Sequence, residues 1–577
     1  MTYQDRYNTW LGSYFDETTR AELEDIQRNE VEIEDRFYKD LEFGTGGMRG
    51  VLGAGTNRIN VYTIRRATQG LANFIIAQGG SDKGVAIAYD SRIMSPELAQ
   101  ETANCLVANG IRAYLFDDLR PTPELSFAVR ELGCIAGVVI TASHNPPEYN
   151  GYKVYWADGG QITPPIDKQI IASVNAITDY TTPLSMPAAT ISHCHCGHHC
   201  HCGLDPQSPR LLTYIGKEID QRYYEEVEKE VQNSQLIRKH GGKLRIVYTP
   251  LHGAGAAPAT HILADVGFTD VHVVKEQEQP DGHFPTIKSP NPEDKAAFAM
   301  ALDLAKEVQA DVVLATDPDG DRLGIYGYDE KQKEYVAFSG NMSAAIILEY
   351  LMEQKSANGT LPENGAVVTT IVSGKMGEAI AREYGMHLFK TLTGFKYIGQ
   401  KIKEFEESGK YVYQFGYEES YGCLLGTYTR DKDAVVAVMA LCEAALHYKT
   451  KGISLCEQMD RLYSKYGYYH EELGTVTLKG KDGLAKIQAT MESIRANPPA
   501  TIDGYQVVKV IDYGRVGETG LPKSNVVYFE LSAEAWCCIR PSGTEPKIKF
   551  YIGVKGNDCQ DANEQAKRLL TAVKKWV

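Results

Sequence analysis

Short, continuously apolar runs alternate with helical stretches along most of the 577 residues, and that alternation limits the fold more than any other feature. GVAIAYD (84–90) precedes SPELAQETANCLVANG, which reads as a helix capped at Ser95 with Pro96 at its first position. IRAYLFD, PTPELSFAVRELG and CIAGVVITAS continue the pattern. LRIVYTP (244–250), DVVLATDPDG (311–320), GAVVTTIVSG (365–374) and YVYQFGYEES (411–420) repeat it. A strand apolar at every position is buried on both faces, so the sequence predicts sheets covered by helices on both sides. Ligands bind such sheets where strands run into polar or Gly-rich loops. The C-terminal stretch reads differently. TVTLKG, a helix over about 483–496, then VVKVIDYG, VVYFELS, AWCCIR and IKFYIG indicate a smaller α+β domain. At about 150 residues per domain, the length suggests roughly four domains.

Sixty Lys+Arg against 75 Asp+Glu give a net charge of -15, which argues against general binding to nucleic acid or acidic membranes. The first residues are too polar for a signal peptide. The longest apolar run, 434–442, is bounded by Asp433 and Glu443 and falls short of the ~20 residues of a membrane helix. Of the twelve cysteines, Cys105, Cys134, Cys423, Cys442 and Cys456 sit singly in apolar contexts and read as buried thiols. Strand alternation points Cys537 and Cys538 to opposite faces. The pattern is no disulfide framework, and the expected compartment is the reducing cytoplasm. Residues 193–202, HCHCGHHCHC, are almost all soft-metal ligands, packed too closely for a usual zinc knuckle. They read either as a neutral inserted loop or as an accessory metal site.

Three motifs carry chemistry. TASHNPPEYNGYKVY follows the strand GVVI, and Asn145-Pro146-Pro147 prevents a helix there, so Ser143 is expected on an irregular, exposed turn. By itself this is only a turn. Asp317-Pro-Asp-Gly-Asp-Arg322 places three carboxylates at alternate positions after an apolar strand, a donor set that suits Mg²⁺. An EF-hand fails, because Arg322 would occupy position 6 and Tyr328 position 12; a solvated acidic turn is the alternative. Arg540-Pro-Ser-Gly-Thr-Glu-Pro-Lys-Ile-Lys549 joins two strands and reads as a phosphate cradle, or as a hairpin with surface cations. FGTGGMRG (43–50), TGFK (393–396), GYEESYG (416–422) and RDKDA (430–434) are weaker signals. The near-GxGxxG at Gly253 runs into Pro258 and is no dinucleotide site.

In this order, TASHNP, DPDGDR, GYEES and RPSGTEPKIK resemble the α-D-phosphohexomutase superfamily, nearest its bacterial phosphoglucomutase/phosphomannomutase branch, from about residue 43 to 553. The resemblance implies three related α/β domains with mixed sheets plus a C-terminal α+β domain of TATA-box-binding-protein-like topology, around a central cleft. The boundaries expected are 1–222 with the phosphoserine loop, 223–336 with the metal loop, 337–468 with the sugar loop and 469–577 with the phosphate loop. It implies that Ser143 carries the phosphoryl group and that Asp317, Asp319 and Asp321 hold Mg²⁺, with a Ser143 phosphate oxygen as another ligand. Glu418 and Ser420 would bind sugar hydroxyls. Arg540, Ser542, Gly543, Thr544 and Lys549 would clamp the non-reacting phosphate, and Arg49, Lys153, Arg322, Thr393 and Lys432 would line the site. Lys547 stands in a short phosphate loop with no role assigned. Lys153, His144 and Lys432, in that order, are candidates to shuttle the proton. The implied reaction interconverts glucose 1-phosphate and glucose 6-phosphate through glucose 1,6-bisphosphate, which is also the activator. Phosphosugars are the expected partners. A phosphomannomutase or phosphopentomutase on the same scaffold is the alternative. A metal-dependent phosphatase would have no need of a second phosphate clamp, and a metal-storage protein would leave the four ordered motifs unexplained.

Overall fold

The computed structural model describes residues 1–44, 46–185, 211–478, 480–515, 517, 519–542 and 547–577. The 193–202 tract and the sequence-predicted site residues Gly543 and Thr544 lie outside them. The chain forms two compact units. One holds Met1–Tyr326 with Gly399–Glu407 and Gly422–Leu446; the other holds Gly327–Ile398, Ser408–Tyr421 and His447–Val577.

The first unit contains a mixed six-stranded sheet of β1 (Gly47–Val51), β2 (Val85–Tyr89), β3 (Ala113–Phe116), β4 (Ala136–Ile140), β5 (Tyr149–Trp156) and β6 (Leu212–Ile215), in the order β1-β5-β4-β2-β3-β6. β2 runs parallel to β3 and β4, and β3 parallel to β6, whereas β5 is antiparallel to β4 and β1. Every residue of β2 and β4 is buried, as the unbroken apolar runs require. Helices Val61–Ala77 and Ser95–Ala108 supply Leu71, Ile75, Leu98 and Leu106 to the core over this sheet. Before β1, three short helices enclose a separate aromatic cluster around Trp10, Phe15 and Phe37. One expectation is corrected: the cap of Ser95–Ala108 is Met94, at φ 63°, and not Ser95. Ser95 is instead buried and donates its hydroxyl to Asp90 (2.8 Å), because a buried carboxylate claims the donor more strongly than a helix end open to water.

The same unit carries β7 (Ile246–Thr249), parallel to both β8 (Val271–Val273) and β9 (Val312–Thr316). β9 is buried throughout and delivers the chain directly into Asp317. β10 (Leu323–Asp329) leaves that loop and passes into the second unit.

In the second unit, after β11 (Glu334–Phe338), β12 (Gly365–Thr370) lies parallel to β13 (His387–Thr391) and β14 (Val412–Tyr417). β15 (Cys423–Leu425) belongs to the first unit. The C-terminal sheet is antiparallel, with β16 (Tyr468–Thr477), β17 (Thr501–Ile502), β18 (Tyr505–Asp512), β19 (Val527–Leu531), β20 (Trp536–Pro541) and β21 (Lys547–Gly556) ordered β16-β21-β20-β19-β18-β17. Cys537 joins the core under helices Gly480–Ala496 and Cys559–Lys574, while Cys538 packs with Trp536 and Tyr551 in a second cluster. The alternation read from the two adjacent thiols therefore holds. Among the described residues, no helix is long and apolar enough to cross a membrane.

Gly151 on β5 shows how tightly the strands meet beside the serine loop. A Cβ there would sit 2.5 Å from the Thr141 carbonyl oxygen and 2.7 Å from that of Met48, both backbone atoms that cannot repack. Gly151→Ala should therefore lose about 1–3 kcal/mol, read as a lower urea midpoint for the first unfolding transition.

Candidate active site

Ser143 lies just past the buried end of β4, and it is 3% exposed, so the predicted exposed turn is corrected. The loop folds inward because buried partners take up its polar groups. The Ser143 amide donates to Thr141 Oγ1 (2.8 Å), and the Thr141 hydroxyl donates to Asp90 (2.6 Å). Ser143 Oγ donates to Asp317 Oδ2 at 2.6 Å, linking the ends of β4 and β9. The serine takes a φ of 52°, a left-handed conformation that costs a residue with a Cβ roughly 1–2 kcal/mol. His144 Nδ1 stands 3.2 Å from Ser143 Oγ. Burial and the charges of Arg322 and Arg49 drive the His144 imidazole down to about 2, so it stays neutral.

Asp317, Asp319 and Asp321 are fully buried and present carboxylate oxygens within 4.8 Å of one another. Gly320, at φ 63°, makes the turn between them, and Asp317 Oδ1 accepts the amides of Asp321 (3.1 Å) and Arg322 (3.0 Å). Lys153 Nζ on β5 donates to Asp319 Oδ2 at 2.6 Å and lies 3.5 Å from Asp321. Thr122, opening helix Thr122–Glu131, adds its hydroxyl to the same Asp319 oxygen (2.9 Å). Lys432 Nζ approaches Asp321 at 3.0 Å and Asp431 at 3.2 Å, and Asp431 in turn accepts the Tyr155 hydroxyl (2.6 Å). The Ala434 amide donates to the Gly320 carbonyl (3.1 Å), so the RDKDA turn is fastened to the acidic loop.

Burial and the neighbouring Asp319 and Asp321 carboxylates push the Asp317 carboxyl well above its usual range. Asp319 moves the other way. Burial acts to raise it, but the Lys153 and Lys432 ammonium groups outweigh that and hold it ionised. Burial likewise works against the Lys153 charge, and Asp319 and Asp321 more than restore it. Two oxygens, Oδ1 of Asp319 and Oδ1 of Asp321, are buried with no hydrogen-bond partner. Three convergent carboxylates with two orphaned oxygens form an all-oxygen donor set, which fits a hard divalent cation. Nearby, Arg49 on β1 donates to the Asn145 side chain (2.8 Å) and Arg322 to Glu293 (2.9 Å).

The second unit holds the remaining predicted residues. Thr393 is in the turn between β13 and helix Phe395–Ser408, where the Gly394 amide donates to buried Glu418 (2.9 Å). Half-buried Glu419 accepts the Thr370 hydroxyl (3.0 Å), and burial with the adjacent Glu418 charge pushes its carboxyl up to about 7. Ser420 follows, half-buried. Arg540 on β20 is directly paired with Lys549 on β21, and the Ser542 amide closes the hairpin onto the Lys547 carbonyl (2.7 Å). Two cations directly opposite on one sheet face repel. The Glu419 carboxylate, which feels the Arg540 charge, offsets part of that repulsion.

Asp90, Thr141, Thr122, Tyr155 and Asp431 also shape the acidic site, and sequence reasoning gave none of them a role, although Thr141 and Tyr155 bound the serine motif and Asp431 lies in the RDKDA turn. Tyr155 stands two residues beyond Lys153 and hence on the same strand face.

The phosphoglucomutase/phosphomannomutase models of α/β/α domains I, II and III match residues 40–181, 221–330 and 339–466. A phosphoglucomutase of Staphylococcus aureus is 35% identical over 554 residues, 94% of each chain. The chain belongs to the phosphoglucomutase/phosphomannomutase family. It is an isomerase, a phosphohexose mutase. A phosphoglucomutase of Staphylococcus epidermidis is 34% identical over 559 residues, covering 95% of this chain and 96% of the relative. Among solved structures, a putative phosphomannomutase from Thermus thermophilus superposes with a TM-score of 0.67 at 21% identity, over 93% of this chain and 99% of its own. The open form of pp63/parafusin from Paramecium gives 0.68 at 19%, over 93% and 94%. The fold of these enzymes is therefore that of the chain: three α/β domains and a fourth with an antiparallel sheet.

If the acidic loop holds a divalent cation, millimolar Mg²⁺ should raise the first melting transition by about 2–5 °C. Asp319→Asn should abolish the shift in the same calorimetric scan.

Proposed function

We propose that the enzyme interconverts glucose 1-phosphate and glucose 6-phosphate by way of a phosphorylated Ser143 and glucose 1,6-bisphosphate. One observation carries the reading: the Ser143 hydroxyl, 2.6 Å from Asp317, faces the one group of carboxylates among the described residues that could hold a metal ion. Glucose is favoured by the phosphoglucomutase names of the relatives and by the paired Glu418-Glu419 before Ser420. The four domains are taken as 1–222, 223–336, 337–468 and 469–577. Eight free thiols among the described residues support a reducing, cytoplasmic setting.

In the forward half-reaction the bond between phosphorus and Ser143 Oγ breaks and one forms to the free sugar hydroxyl oxygen, whose proton is relayed to the freed Ser143 Oγ, the hydroxyl that donates to Asp317. Asp317, Asp319 and Asp321 would hold Mg²⁺, which when bound offsets charge on the transferring phosphoryl group and on the serine oxygen. Lys153, kept protonated by Asp319 and Asp321, stands as a charge partner and proton donor. His144 lies beside Ser143 Oγ and follows Lys153 as a candidate to relay the proton, with burial and the Arg322 and Arg49 charges lowering its affinity for one. Arg49, Arg322, Thr393 and Lys432 are assigned to the site lining, and Glu418 and Ser420 to sugar hydroxyls. Arg540, Ser542, Gly543, Thr544 and Lys549 are assigned to the phosphate that does not react. The bisphosphate then turns over, and its other phosphate returns to Ser143.

Incubation with glucose 1,6-bisphosphate should add one phosphate, located at Ser143 by peptide mass analysis, and Ser143→Ala should be inactive. Unimpaired turnover by Ser143→Ala would end this reading. A coupled assay with glucose, mannose, glucosamine and ribose 1-phosphates should rank glucose first. Because one clamp serves both orientations of the intermediate, Arg540→Ala should weaken glucose 1-phosphate and glucose 6-phosphate alike, by ~1.5–3 kcal/mol. A loss confined to one of them would mean that the two ends use different clamps.

A further inference from the structure

Arg92 stands in the turn after β2, with 1% of its surface exposed. Its Nη1 donates to the carbonyls of Pro146 (2.9 Å) and Tyr149 (3.0 Å), and its Nη2 to those of Ser143 (2.5 Å) and Asn145. Four carbonyls of the serine loop thus converge on one planar cation. Asp90 supplies the counter-charge at 3.5 Å and also anchors Thr141, which holds the Ser143 amide. On its other side the guanidinium lies over the ring of Phe284, 5.2 Å from the centroid. The Phe284 segment is itself pinned. Buried His252 bonds Thr286 (2.9 Å) and the Gln279 carbonyl (3.1 Å), and the Ser289 hydroxyl donates to the His144 carbonyl (2.9 Å). Gly282 pairs with the Arg92 backbone so closely that a Cβ would fall 2.3 Å from the Ile93 nitrogen.

We infer that Arg92 is a positioning residue for the phosphoryl transfer: it gathers the loop carbonyls to one point and so holds Ser143 in its left-handed conformation, with Oγ aimed at Asp317. This deepens the proposed function and rests on Ser143 being the phosphoryl carrier. The sequence explains why a side chain does this work. Consecutive prolines at 146 and 147 have no N–H, so the loop cannot close on a backbone ladder. Only a guanidinium offers donors in a rigid fork wide enough for carbonyls on both nitrogens, whereas a lysine ammonium would reach them from a single point. Arg92 acts through the backbone of Ser143, so it should govern the rate of transfer without governing substrate affinity.

The test uses the full-length enzyme with Mg²⁺ and glucose 1,6-bisphosphate, comparing Arg92→Ala, Arg92→Lys, Phe284→Leu and Ser143→Ala. Both Arg92 variants should lose about 100-fold in kcat, the scale of a displaced reacting atom, with KM within about threefold of wild type. Guanidinium at a non-denaturing concentration should restore at least about tenfold of the Arg92→Ala rate, and equal ionic strength of NaCl should restore none. Phe284→Leu should lower kcat by about three- to tenfold at unchanged KM. Should Arg92→Ala fail to fold, Arg92→Lys and Phe284→Leu decide by the same split. The inference is overturned if Arg92→Lys keeps its kcat, or if KM rises tenfold while kcat holds. Turnover by Ser143→Ala would instead remove the carrier reading beneath it. An inactive Ser143→Ala beside fully active Arg92 variants would remove only the positioning role.

Discussion

The first unit is organised by three carboxylates buried within 4.8 Å of one another. Several like charges in a dry site are tolerable only if cations and donors are brought to them. Lys153 comes from β5, Lys432 from the turn before helix Ala434–Thr450, and Thr122 from the first turn of another helix, from segments far apart in the sequence. Withdrawing one partner of such a buried pair typically costs about 3–5 kcal/mol, so the acidic loop ties these segments together. Even so, the balance is incomplete, because one oxygen each of Asp319 and Asp321 is left without a hydrogen bond. A divalent cation would supply what those oxygens lack.

Around that loop the protein holds Ser143 in a costly arrangement. The serine is buried, left-handed and hydrogen-bonded to a carboxyl whose affinity for its proton is raised by its neighbours. Such a conformation persists only where surrounding contacts over-determine it. Here they do, through Asp90 and Thr141 beneath the amide and Arg92 beneath the carbonyls. The loop that carries Ser143 is therefore buttressed at both its amide and its carbonyls, which suits the transfer proposed for it.

The second unit works by a different balance. Its cations Arg540 and Lys549 face each other across a hairpin, and its carboxylates Glu418 and Glu419 are adjacent, with Glu419 pushed up to about 7. In the proposed function the first pair takes an anion and the second takes sugar hydroxyl groups.

Sequence alone determined the elements whose signal is local. Unbroken apolar strands such as β2, β4 and β9 need two covered faces wherever they lie, and the loops after such strands are where a ligand site is to be sought. Four motifs in a fixed order were enough to place the chain in its family, and Cys537 and Cys538 could be sent to opposite cores because strand alternation has a period of two. Tertiary structure decided whatever depends on which distant groups share a buried volume. Ser143 is inside because Asp317, 174 residues away, takes its hydroxyl, and Ser95 gives up its cap because Asp90 outbids the helix end. Arg92, Asp431 and Tyr155 look like ordinary loop and strand residues until their partners are in place. The physical reason is common to all of them. Hydrophobic period is a property of a segment, whereas the energy of a buried charge is set by its neighbours in space, and a linear sequence does not say who those neighbours are.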